Sequence, residues 1–200
     1  MYFTETPHLQ RLERQMTEIP HQIPRSSCFR CNGKNRYDSN AVKIALLILL
    51  DSFDSRKLEK RVKGLGMKPT FIDESHYERF KQFFYQNILS PAHCSRNYVA
   101  AVFLLSSVPE LWNRVNPHIS RDTVNFEKMR IGSVDTETYA TFKAAKEVYT
   151  DKAEITISEL CDSTLVNDRT ISNVFTAMLI ENNGYGIVDT TKFQEQPKAV

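Results

Sequence analysis

The chain has 200 residues, 41% of them hydrophobic and 25% charged, with a formal net charge of +2. Its 6 glycines and 8 prolines are too few for a collagen-like or low-complexity chain, and 12 phenylalanines with 8 tyrosines exclude a disordered one. A single body of this length buries roughly 70% of the surface its unfolded chain exposes, so it stands without disulfide staples.

In chain order, residues 1–40 read as an irregular arm. Pro7, Pro20 and Pro24 punctuate it, Ser26-Ser27 and Asn32-Gly33 add turn signals, and Arg11 to Thr17 make two helical turns at most. The N-terminal residues show no basic stretch leading into an apolar one, so no signal peptide is expected. Residues 41–69 read as a basic helix and its linker. Asn40 is the expected cap of a helix from Ala41 to about Val62. Its first half is the most apolar run of the chain, ending at Leu50. A membrane span needs about 20 consecutive apolar residues, so this shorter run suits a buried helix and no membrane association is expected. Its second half carries Arg56, Lys57, Lys60, Arg61 and Lys63, cations that favour a helix C-terminus. Gly64, Gly66 and Pro69 end it.

Residues 70–188 read as a compact helical domain. Asp73 caps a helix whose Tyr77, Phe80, Phe84 and Ile88 recur at helical spacing as one aromatic face. Pro91 breaks it. Ser95 caps the next, with Tyr98, Val99, Val102 and Leu105 as its stripe. Pro109 opens a short helix holding Leu111, Trp112 and Val115. Residues 119–134 lack a helical period, and an extended connection or short strand pair is expected there. Thr136 begins a helix with Tyr139, Phe142, Ala145 and Val148 on one face. Thr156 and Glu159 form a capping box. A last long helix runs from Asp168 to about Ile180, stopped by Asn183-Gly184. Residues 189–200 read as a polar tail that frays. The fold class is therefore all-α.

Several segments, in this order, resemble one family. They are Phe71-Ile72-Asp73-Glu74-Ser75-His76-Tyr77-Glu78-Arg79-Phe80, the Ala- and Leu-rich run from Asn97 to Leu105, the Leu111-Trp112 pair, Thr138 to Lys146 as "Y-x-x-F-x-x-A-K", and Ile157 to Leu160 with Ala177-Met178. The chain is similar over about residues 71–187 to the uncharacterised helical domain-of-unknown-function family numbered 6075, met mainly in Firmicutes, often on conjugative or phage-derived elements. The resemblance implies a helical fold and a mobile-element setting. It implies no activity and no catalytic residues. The opening Met1 to Glu5 and Glu13 to Pro20 also look like the start of longer relatives, some with further cysteine pairs.

The charge is unevenly placed. Residues 1–69 hold 13 Lys+Arg against 7 Asp+Glu (net +6), and residues 70–200 hold 13 against 17 (net −4). Attraction to nucleic acid or to an acidic protein partner is expected from the first third, through Arg56, Lys57, Lys60, Arg61 and Lys63. A solvated helix end is the plainer account of the same residues.

Cys28-x-x-Cys31 has the spacing to hold one side of a tetrahedral zinc. His8, His21, His93 and Cys94 are the available further ligands. A redox pair or a surface pair without a metal are the other readings. With only 4 cysteines, a reduced, cytoplasmic setting is expected.

Thr156 to Met178 can be laid over a helix-turn-helix, with Ile171 and Val174 inward and Arg169, Thr170, Asn173 and Thr176 toward a DNA groove. Between Lys152 and Glu181, however, 2 basic residues face 5 acidic ones, which opposes phosphate binding. Two packed antiparallel helices explain the same apolar spacing. His76 shares a face with Phe80, so a packed or capping histidine is expected rather than a general base. Adjacency does not give His93 and Cys94 the geometry of a nucleophile pair. No phosphate-cradling loop, G-x-S-x-G or H-E-x-x-H is present. The sequence therefore favours a non-enzymatic accessory or protein-interaction factor of a mobile element. A helix-turn-helix DNA-binding regulator is the alternative and an unidentified enzyme the third reading.

Overall fold

The computed structural model describes residues 38–194. The arm from residue 1 to 37, with the Cys28–Cys31 pair, and residues 195–200 lie outside the described residues. Within them the chain forms nine α-helices and no strand, which makes the fold all-α.

The long helix expected from Ala41 to Val62 is two helices, α1 (Ser39–Ser52) and α2 (Arg56–Gly64). Asp38, rather than Asn40, caps α1, its carboxylate accepting from the Asn40 and Ala41 N–H groups at 2.9 and 3.3 Å. The break has a local cause. Phe53 packs on Phe175, with ring centroids 5.7 Å apart. Asp54 takes a left-handed backbone (φ 46), which Asp tolerates better than most residues, and Ser55 then caps α2.

The other helices are α3 (Glu74–Gln86), α4 (Arg96–Ser107), α5 (Pro109–Val115), α6 (Thr136–Thr150), α7 (Ile157–Cys161), α8 (Asp168–Asn183) and α9 (Thr191–Gln194). Asp73, Ser95 and Thr156 cap α3, α4 and α7 as their sequence positions require, and the Thr156–Glu159 capping box is complete. Gly184 ends α8 at φ 87, donating its N–H to the Ile180 carbonyl at 2.7 Å.

Helix α4 is the axis of the body. Every residue from Tyr98 to Ser107 is buried, because α3, α5, α6 and α8 pack around it. Full burial of a side chain such as Phe103, Leu104 or Leu105 contributes about 1.5–3 kcal/mol, so this helix supplies much of the core. Its last carbonyls find donors on α3. The Arg79 guanidinium donates to Ser106 O at 2.7 Å and to Ser107 O at 3.1 Å.

Residues 119–134 form the extended connection expected, with a single antiparallel bridge, Ile119 to Val124, followed by a 3-10 turn at Phe126–Lys128, and Arg114 fastens the segment by donating to the Ile131 carbonyl. Two local expectations are corrected. Tyr139 is exposed, because the packed face of α6 runs through Thr138, Thr141, Ala144, Ala145 and Val148. The tail does not fray as far as Phe193. Asp189 donates its N–H to Pro69 O at 2.7 Å, and Phe193 stacks on Tyr77 with centroids 5.1 Å apart.

Candidate functional site

The residues singled out from sequence do not converge. Arg61 is a structural clamp. Its side chain is only 13% exposed and donates to Leu160 O at 2.7 Å, to Val166 O, and to the Asp168 carboxylate at 3.2 Å, joining α2 to α7 and the turn after it. Lys63 pairs with Glu59 one turn back on the same helix. Arg56, Lys57 and Lys60 remain exposed and make no ion pair among the described residues.

The helix-turn-helix overlay is corrected by burial. Asn173 is 3% exposed, Thr176 is buried, and the Thr176 hydroxyl donates to Ser172 O at 2.8 Å. The cause is the placement of α8, which packs against α1, α4 and α6 and so has no open face at its centre. Arg169 is exposed, but it pairs with Asp73 at 2.6 Å. Helix α7, with 5 residues, makes little more than one turn.

His76 is the packed histidine the sequence predicts. Its Nδ1 accepts from the Ile72 N–H at 3.3 Å and its Nε2 donates to Phe103 O at 2.8 Å, so both nitrogens of the neutral ring are engaged. Burial pushes its pKa down to about 3. No group of 3 or more His, Cys, Asp or Glu able to hold a metal occurs among the described residues, and the Cys28–Cys31 zinc expectation lies outside them.

The feature that sequence reasoning missed lies where α3 ends. The helical spacing predicts Ile88 on the buried aromatic face, but α3 stops at Gln86. Leu89 donates its N–H back to Phe84 O at 2.8 Å and Ile88 donates to Tyr85 O at 3.0 Å, closing a left-handed helix terminus. Ile88 holds the left-handed position, φ 55, and is 84% exposed. Tyr85, one turn back, is 83% exposed. Together with Leu89, Ser90, His93 and Cys94 they line an open groove of about 670 Å³. The signal was Asn87, a residue suited to ending a helix, four positions before Pro91.

Tyr85, Ile88 and Leu89 give the groove aromatic and aliphatic walls, Gln86, Ser90 and His93 add polar groups, and burial pushes the Cys94 thiol up, away from the nucleophilic thiolate.

Compared with protein-family models, with curated proteins and with solved structures, the chain matches none. The resemblance to the helical family of mobile elements rests on its sequence motifs alone. Among the described residues, no helix is long and apolar enough to cross a membrane.

Proposed function

We propose that the protein is a non-enzymatic accessory, protein-interaction factor, and that the groove between Tyr85 and Cys94 holds its protein partner. The mobile-element setting belongs to the same proposal and is supported by the order and spacing of the motifs from Phe71 to Met178.

The observation that carries this reading is Ile88. A left-handed backbone costs a β-branched residue about 1–2 kcal/mol relative to the ordinary helical region. Glycine holds the same turn at less cost. An isoleucine could offset that by burying its side chain, but this one is 84% exposed. Within the isolated chain it is therefore a net loss. It becomes a gain when a partner covers it together with Tyr85, since an exposed aromatic beside an aliphatic is the composition of an interface anchor.

A photo-crosslinking amino acid at position 86, used in the native host, tests the proposal. The expected result is one discrete crosslinked protein, lost in Ile88→Gly and in Tyr85→Ala, with Ile88→Gly melting no lower than the parent. Crosslinks unchanged by both substitutions, or none in the parent, would overturn it.

A further inference from the structure

A second apolar surface lies on the far side of the first helix. Helix α1 packs on α8 and α2 through Val42, Ala45 and Leu50. Its opposite face carries Ile44, Leu47 and Ile48, exposed by 55%, 51% and 65%. Their spacing of three and four places them side by side as one aliphatic stripe, ending at the exposed Asp51. Isolated exposed aliphatics are ordinary, whereas three adjacent ones on a single helix form a contiguous apolar patch of the kind that marks docking sites.

The described chain begins at Asp38, the cap of this same helix, and 37 residues precede it. In that stretch the sequence places Leu9, Leu12, Met16 and Ile19 at spacings of three, four and three, an apolar pattern centred on the two turns that Arg11 to Thr17 allow. Arg11 and Arg14 are balanced by Glu13 and Glu18, so the segment carries no net charge and its fit to the stripe rests on the apolar side chains. The 18 residues from Pro20 to Tyr37 span up to about 60 Å when extended, far more than the roughly 21 Å length of α1, so the segment reaches the stripe in either direction. A tethered segment acts at an effective concentration on the order of millimolar and loses no second molecule's freedom on docking. That favours it over a second copy of the chain.

We infer that residues 9–19 of this chain dock through Leu9, Leu12, Met16 and Ile19 on the Ile44–Leu47–Ile48 face of α1. The surface is separate from the Tyr85 groove and the inference stands independently of it.

The test is hydrogen exchange on the full chain, comparing the parent with Leu12→Asp/Met16→Asp and with Ile48→Asp, and sedimentation of each over a hundredfold range of concentration. In both variants the Ser39–Ser52 amides are expected to exchange at least about fivefold faster, while the amides of α4 stay as in the parent and serve as the measure of intact folding. The parent is expected to sediment as a monomer throughout. Unchanged α1 exchange in Leu12→Asp/Met16→Asp would overturn the inference. So would α1 protection that rises with concentration alongside a dimer, which would assign the face to a second copy.

Discussion

The Nε2 of His76 lies 2.8 Å from the Phe103 carbonyl oxygen, across the contact between α3 and α4. The ring is fully buried, packs edge-on against Phe71 with centroids 4.8 Å apart, and is neutral with its pKa held at about 3. In the unfolded chain it titrates near ~6.5. Between those values the unfolded chain takes up a proton that the folded one refuses. This histidine therefore makes stability fall as pH drops from about 6.5 toward 3, by at most about 1.4 kcal/mol per pH unit. His76→Phe leaves the Ile72 N–H without its acceptor and is expected to cost about 1–3 kcal/mol near pH 7. It should also flatten the acid limb. Urea denaturation at about pH 7 and pH 5 checks both effects.

Glu181 has the opposite dependence. Burial, followed by the charges of Asp151 and Glu147, raises its carboxyl to about 7. The folded chain then keeps a proton that the unfolded chain releases near the ordinary ~4.3. Stability from this group falls as pH rises from about 4.3 to 7 and is constant above. Leu49 and Phe53 wall the same small cavity together with Glu147 and Asp151, so ionisation of Glu181 adds a further carboxylate charge where α1 is seated. Glu181→Gln should raise the melting temperature near pH 8 and leave it unchanged near pH 4, read by thermal denaturation at the two pH values.

Two neighbouring cations should separate cleanly. Arg61→Met keeps the aliphatic stem but removes the donors to Leu160 O, Val166 O and Asp168. Hydrogen bonds from a charged donor are worth about 1.5–3 kcal/mol, and a loss of that order is expected. Lys60→Glu, on the exposed side of the same helix, should stay within about 0.5 kcal/mol of the parent. Equal effects from the two substitutions in chemical denaturation would show that Arg61 is not the clamp described.

The helices were legible because they are punctuated locally: Asp73, Ser95, Pro109, Thr156 and Gly184 act within a turn of themselves. What the sequence hid depends on distant partners. Arg61 looks like its neighbours until Leu160, 99 positions away, is brought beside it. Asn173 and Thr176 read as an outward face because a polar type at helical spacing carries no record of what packs there. Ile88 continues the aromatic period perfectly, yet the helix ends two residues earlier and turns the side chain out. Periodicity reports a face only while the helix lasts.

The middle of α6 and the start of α7 are joined by a carboxylate with three duties. Glu159 accepts from the Thr156 N–H at 2.7 Å, from the Thr156 hydroxyl at 2.9 Å, and from Lys143 Nζ at 2.8 Å. The hydrogen bond from Lys143, then that from the Thr156 backbone, holds its pKa at about 2. Thr156→Ala removes the cap and is expected to cost about 1 kcal/mol. Lys143→Met with Glu159→Gln in a double-mutant cycle should show a coupling of about 0.2–1 kcal/mol, the range for a partly exposed pair. The coupling should be full above about pH 4.5, the ordinary glutamate range, and fade as pH falls toward 2, because only the ionised carboxylate holds the lysine. Denaturation of the four proteins at about pH 7 and pH 3 measures it. A coupling that does not weaken in acid would mean that Lys143 and Glu159 interact through packing rather than charge.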